Sequence, residues 1–563
     1  MEKRVLVAIV LSFLVLVLYQ AVFFKKKPQP EIPAESITEI EKKPAQQPYA
    51  QEIPETARSI QEKEEPEEER LPQVISSQTE EEIRIDTSLY QATWSNRGAV
   101  LKSWKLKTHR DENKEELELV SRFSSEVRIY PFSLRTEDSS FDSLINNTLY
   151  QPSNLQLVLS QGRAGEIRFQ FADERGTRVE KVLTFQDGKY DFDVQINVWK
   201  SGQRIEPNVI WGPGFGNPTP ADTRRRLAGG GSGIAVYPPR KDDRLSELKY
   251  KPTKKWQDLV YSNKNVFYFI QWAAYEDNYF AVLFLTPYQQ ANATFLREGP
   301  EENPYFLLSV TPPQKVYIGP KEYDTLVEFG NDAKRLVRFG MFGFISEILL
   351  KASKYFYRLI PNWGLSIIII TLIIKILFFP LTYSSMRSMS KMQELQPKIK
   401  AIRARFKKAK TDMAQRRRMN EEIMKLYKEQ GVNPAGGCLP MLIQIPVFFG
   451  FFRLLMVAIE FRQSPFIFWI TDLSARDPFY VTPILMGVTQ FISQKMTPSS
   501  ADPTQARMML LMPVIFTILF ISFPSGLVLY WLTNNVLQIA QQYIMNRLRE
   551  KEKRKTHGKR RKK

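Results

Sequence analysis

The 563-residue chain has one cysteine, Cys438, and two histidines, His109 and His557. A single thiol rules out an internal disulfide framework and any thiolate metal cluster. So few histidines argue against a histidine metal site or a Ser-His-Asp hydrolase. The glycine run at 229–231 lacks the Gly-Lys-Ser/Thr of a phosphate loop, which favours a plain flexible turn over nucleotide binding. No convergent acid–base pair stands out. The expectation is a protein without covalent chemistry, with no catalytic residue, metal or cofactor. Acidic residues are outnumbered: 60 Asp and Glu against 79 Lys and Arg leave a net charge of +19. Such a balance points to an anionic partner, whether lipid headgroups, nucleic acid or an acidic protein.

What is present is a series of apolar runs separated by polar regions. Residues 1–24 contain an apolar run long enough to span a bilayer, ending in Phe23, Phe24 and Lys25. They lack the small residues of a cleavage site, so an uncleaved anchor is expected. Residues 25–82, rich in Pro, Glu and Gln, cannot bury enough apolar surface to offset chain entropy and read as a disordered tether. Over 83–330 the pattern has period two. Tyr190, Phe192, Val194, Ile196 and Val198 alternate with polar residues, Ile167, Phe169 and Phe171 repeat the pattern, and Asp187-Gly188 gives a hairpin signal. A mainly antiparallel β domain follows, large enough for a sandwich.

Residues 331–360 switch to helical period. Glu347, Lys351, Lys354 and Arg358 make a polar stripe opposite Phe344, Ile345, Ile348, Leu349, Ala352, Phe356 and Leu359. This reads as a helix in the membrane interface, or as one packed on the β domain. Residues 361–383 form an apolar run of spanning length. Residues 384–431 are basic, with stripes at Met392, Leu395, Ile399, Ile402 and Phe406 and at Met419, Ile423 and Leu426. The stripes suggest an antiparallel helical hairpin turning at Lys410-Thr411-Asp412. Asp412 is a candidate cap for its second helix, Pro397 a kink or late start in the first, and Gly431 and Asn433-Pro434 a stop. Residues 432–543 hold four more apolar spans, and 544–563 form a basic, disordered tail. Positive charge on the hairpin and tail puts both in the cytoplasm, together with the amino terminus, and leaves the β domain outside. The fold class is thus a polytopic α-helical membrane protein of six spans.

The 363–383 run carries one lysine. Lys375 lies about 18 Å along a helix from Trp363 and about 9 Å from Leu381. In lipid an ammonium costs on the order of 3 kcal/mol or more, so it either snorkels to the nearer interface or faces a wet cavity. Thr371 is one turn away, and Gln444, Gln490, Thr517, Asn534, Asn535 and Gln538 put polar groups on later spans. That set favours the cavity. Arg453, the nearest other intramembrane charge, is also positive.

The chain resembles the YidC/Oxa/Alb family of membrane protein insertases. The resemblance is carried by NWGLSIIIITLIIK at 362–375, FPLT at 379–382, LQPKIKAIR at 395–403 and VNPAGGCLPMLIQIPVF at 432–448. It continues through SPFIFWITDLSARDPFY at 464–480, PILMGVTQF at 483–491, MPVIFT at 512–517 and FPSGLVLYW at 523–531. It implies a core of five helices enclosing a hydrophilic groove with one positive charge, usually arginine and here Lys375. Thr371, Gln444, Thr517, Tyr530, Trp531 and Asn534 would line that substrate groove. The anchor and β domain resemble the Gram-negative form, whose periplasmic domain is a β-supersandwich. The implied activity is insertion and folding of nascent integral membrane proteins in the inner membrane, alone or with the Sec translocon, without nucleotide. The basic hairpin and tail would meet ribosomes or anionic lipids. Two other classes stay open on the residues alone: a small-solute transporter using Lys375, and a sugar-modifying β domain on an anchor.

Overall fold

Alternation along the chain becomes alternation in burial. In the computed structural model, strands β1 (Ala164–Ala172), β2 (Arg178–Gln186) and β3 (Asp191–Lys200) form consecutive antiparallel pairs. On β3, Phe192, Val194, Ile196 and Val198 are buried while Asp193 and Gln195 are exposed. Gly188, at φ +81°, makes the turn between β2 and β3 in a region that costs glycine little. The structure describes residues 74–111, 113–214, 216, 233–237, 246–249, 265–287, 291–300, 304–406, 412–432, 439–496 and 503–560. The expected anchor at 1–24, the tether as far as 73, the glycine run at 229–231, Lys410-Thr411 and Asn433-Pro434 lie outside the described residues.

Strands Trp272–Glu276 (β4), Phe280–Leu285 (β5) and Lys315–Pro320 (β6) extend the sheet in the order β4-β5-β6-β3-β2-β1, within a ten-stranded whole. Two five-stranded sheets pack on it. From the one containing Val100–Arg110, Trp104 stacks on Phe192 of β3 at 5.6 Å. From the one containing Asn208–Trp211, Trp211 meets Phe284 of β5 edge-on at 6.3 Å. Rings therefore fill both seams, with large buried apolar area and favourable ring geometry. Among the described residues the result is a β-rich domain of three sheets ahead of a helical region.

That region comprises α1 (Gly343–Leu359), α2 (Trp363–Leu377), α3 (Phe379–Glu394), α4 (Gln396–Arg405), α5 (Met413–Glu429), α6 (Leu439–Val457), α7 (Val481–Met496), α8 (Pro503–Phe520) and α9 (Ser525–Arg560). Asn362 caps α2 by accepting from the Leu365 amide at 3.0 Å. The run expected over 361–383 breaks at Phe378, because Pro380 has no amide hydrogen to carry the ladder onward and instead sits in the first turn of α3. Pro397 likewise starts α4. Asp412 caps α5 by accepting from the amides of Ala414 (2.8 Å) and Gln415 (3.3 Å). Leu395, Ile399 and Val432 form a small core with Met392, Ile423 and Leu426, which closes the hairpin.

Helix α1 buries Ser346, Leu349, Leu350 and Ser353 and leaves Phe344, Ile348 and Leu359 of its apolar face exposed. Its neighbour α6 approaches along small residues: Ser346 donates to the Gly450 carbonyl at 2.9 Å. The tail, expected to be disordered, continues α9 as helix to Arg560. Lys, Arg and Glu are good helix formers, and extending a helix needs no new nucleus.

The β domain is fixed to the helices by polar contacts. Asn278 donates to the Met456 carbonyl at 2.9 Å, and Arg453 donates to the Arg338 carbonyl. Lys354 on α1 pairs with Asp324 (2.9 Å) and with Glu460 (2.8 Å) beyond α6. Among the described residues no single helix is long and apolar enough by itself to cross a membrane. Helices α1 and α2 meet that measure together, but they are bent by 120° at their junction.

Candidate functional site

The polar residues singled out in the apolar segments fall on α2, α6, α7, α8 and α9. Lys375, in the last turn of α2, is half-buried, and its Nζ donates to Gln538 Oε1 of α9 at 2.9 Å. The partner is a neutral amide, so the ammonium keeps its full charge. Thr371, one turn earlier, is buried and donates back to the Ile367 carbonyl of its own helix at 2.6 Å. Its hydroxyl is thus satisfied locally and is not aimed at Lys375.

Gln444 of α6 donates to the buried Tyr530 hydroxyl of α9. The Tyr530 ring stacks on Phe451 at 4.4 Å, so the same two helices meet through a polar and an aromatic contact. Trp531, the next residue, points its indole N–H at Gln490 Oε1 of α7, 3.2 Å away. Its ring lies 5.0 Å from Phe448, 5.4 Å from Phe520 and 6.0 Å from Phe516. A half-buried indole packed by three phenyl rings and satisfied by one amide joins α6, α7, α8 and α9.

Thr517 of α8 turns its hydroxyl back onto the Pro513 carbonyl at 2.8 Å. It also lies where α7 and α8 pack tightly: a Cβ on Gly487 would lie 1.9 Å from Thr517 Oγ1. Asn535 is buried and donates to the Met486 carbonyl at 3.2 Å, whereas the neighbouring Asn534 Oδ1 is buried without a partner. Buried acceptors of that kind are costly unless water or a ligand supplies a donor.

The expected residues therefore separate into two groups. Lys375, Gln444, Tyr530, Trp531 and Asn534 carry polar contacts or unmet polar atoms between helices, while Thr371 and Thr517 spend theirs within their own helices. Gln538 was expected in the polar set that favours a cavity but not as a groove-lining residue, and Gln541 was not expected in either. Their signal was present in the spacing of Asn534, Gln538 and Gln541, four and then three residues apart, which places three amides on one helix face. Among the described residues there is no group of three His, Cys, Asp or Glu that could hold a metal.

Comparisons with known proteins follow the same division of the chain. Residues 82–352 match the family described as YidC periplasmic domain, and residues 355–553 match the 60Kd inner membrane protein family. A relative named membrane protein insertase YidC, from Syntrophus aciditrophicus (strain SB), is 35% identical over 97% of this chain and 100% of its own length. Another of that name, from Geobacter sp. (strain M21), is 37% identical over 83% of this chain and 85% of its own. Among solved structures, an active YidC insertase with its first transmembrane domain resolved is 20% identical, with a TM-score of 0.35 over 84% of this chain and 95% of that one.

Proposed function

The chain belongs to the YidC family of membrane protein insertases, and from that premise we propose that it inserts nascent integral membrane proteins into the bacterial inner membrane and helps them fold. The observation that carries the mechanism is the Lys375 ammonium held by an amide rather than a carboxylate. A translocating polar segment must cross hydrocarbon, where each unsatisfied backbone group costs several kcal/mol. A fixed cation partway along that path gives acidic or polar residues a transient partner and lowers the barrier.

In this reading residues 1–24 are an anchor, and the helical region contributes five further crossings, with α2 and α3 together making one. The basic hairpin and carboxyl-terminal tail are cytoplasmic by the positive-inside rule, and the β domain is periplasmic. The exposed Phe344, Ile348 and Leu359 of α1 rest in the outer interface. Substrate helices leave along α6 and α8, past Gln444 and Thr517. The Sec translocon is a partner for some substrates, and the basic segments meet ribosomes or anionic lipid. No step uses a nucleotide or a covalent intermediate.

The test is insertion of an acidic-tailed single-span protein by full-length variants. Lys375→Arg should retain insertion, whereas Lys375→Ala and Lys375→Glu should impair it; normal insertion by Lys375→Glu would falsify the charged-path role. Crosslinks from a stalled nascent membrane protein should fall near Lys375, Gln444 and Thr517, and their absence there would remove the path.

A further inference from the structure

The Lys375 contact has a second half. Three residues beyond Gln538 on α9, Gln541 Nε2 reaches the Lys375 backbone carbonyl at 3.5 Å. One amide thus takes the ammonium while its neighbour steadies the backbone that carries it. On the same face, Asn534 Oδ1 and Gln541 Oε1 are buried with no partner. Gln538 is half-buried, close enough to hold the amine yet not sealed away from an incoming segment.

A neutral amide and a carboxylate differ in what they leave behind. A hydrogen bond to an amide oxygen orients the ammonium but cancels none of its charge, whereas an ion pair would both bind it more strongly and neutralise it. We infer that Gln538 is a positioning and specificity-determining residue. It holds the Lys375 ammonium in place as an exchangeable partner, so a carboxylate on a passing polypeptide displaces the amide while a neutral tail gains little. This inference rests on the insertase reading and adds to it the residue that sets preference for acidic segments.

The test uses the full-length protein in proteoliposomes and two single-span proteins whose translocated tails differ only in Asp and Glu replaced by Asn and Gln. Gln538→Glu supplies a permanent carboxylate and should lower the acidic-to-neutral insertion ratio by about tenfold. Moving the charge across the same hydrogen bond, with Lys375→Gln and Gln538→Lys together, should restore the ratio to within a few-fold of the parent. An unchanged ratio in Gln538→Glu, an equal loss for both tails, or a swap that leaves the ratio low overturns the inference. Lys375→Ala separates the two levels. If it inserts the acidic tail normally, the charged-path reading itself fails; if it does not, and Gln538→Glu still leaves the ratio unchanged, only the role of Gln538 fails.

Discussion

Lys354 Nζ lies 2.8 Å from a carboxylate oxygen of Glu460, and this pair joins α1 to the segment just beyond α6. Burial raises the Glu460 carboxyl above its usual range in spite of the nearby ammonium. Burial also works against the Lys354 ammonium, but Glu460, Asp324 and Glu322 outweigh it and raise its pKa. The side chain of Glu460 is only 7% exposed, so its charge depends on this one cation far more than those of Asp324 and Glu322 do.

Removing the cation should therefore cost more than removing the anion. Lys354→Met leaves a buried carboxylate unpaired and should lower stability by about 3 kcal/mol. Glu460→Gln keeps the volume, leaves Lys354 with Asp324 and Glu322, and should cost about 1 kcal/mol. Thermal unfolding of the full-length protein in detergent reads both. Equal losses would mean that the surface carboxylates, not Glu460, hold Lys354.

His109 gives a pH signature. Burial, with Arg462 nearby, lowers its pKa from 6.5 to about 4. The unfolded chain then takes up a proton before the folded one does, so stability falls as pH drops from 6.5 toward 4 and levels off below that. The span corresponds to at most about 3 kcal/mol, and less once the solvent-facing side of the ring is counted. His109→Phe retains a ring against Phe280, whose centroid is 5.4 Å away, and removes the titration. Denaturant unfolding at pH 7 and pH 4.5 should show the parent losing more stability than His109→Phe; parallel losses would place the pH dependence on carboxylates instead.

The strands and the Asp412 cap were legible because their causes are local. Period-two burial on β3 and a capping carboxylate two or three residues from its amides are both complete within one segment. The side of α1 that packs on α6 was not legible, because a buried Ser346 makes sense only once Gly450 is seen across from it. A chain with apolar residues on two sides of a helix does not say which side a neighbour will take. The break at Phe378 had its signal in Pro380, which was absorbed into an uninterrupted run. For the site, Lys375 stood out as a lone charge in an apolar segment, but its partner is 163 residues away. Spacing could place Gln538 on a face; only packing of α2 against α9 could say what that face meets.

Lys181 is buried in the β domain and donates to three backbone carbonyls, those of Gly98 (2.8 Å), Ala99 (3.0 Å) and Phe132 (2.9 Å). It ties β2 to a turn at Gly98-Ala99 and to the segment before Leu134. Lys181→Met keeps most of the stem but strands three buried acceptors, and should cost about 3 kcal/mol or more. Burial pulls the amine down to about 7 from 10.5. Because the folded state releases this proton first, the parent's advantage over Lys181→Met should widen as pH rises from about 7 toward 10. An advantage that stays flat over that range would mean the amine keeps its proton when folded.

The α7–α8 contact offers a test of packing that leaves charge untouched. A methyl group on Gly487 would meet Thr517 Oγ1 at 1.9 Å and its Cβ at 3.2 Å. The first distance is impossible and the second is tight, so Gly487→Ala must push α8 away or rotate Thr517 off the Pro513 carbonyl it now bonds at 2.8 Å. Either response should cost about 1–3 kcal/mol. Thr517→Ala removes the hydroxyl but keeps the Cβ, and should recover most of that loss when combined with Gly487→Ala, although it leaves the Pro513 carbonyl only its helical partner. The double-mutant cycle, read by thermal unfolding, should therefore show strong positive coupling. Additive losses would mean the helices separate freely at this level, as a substrate exit between them would require.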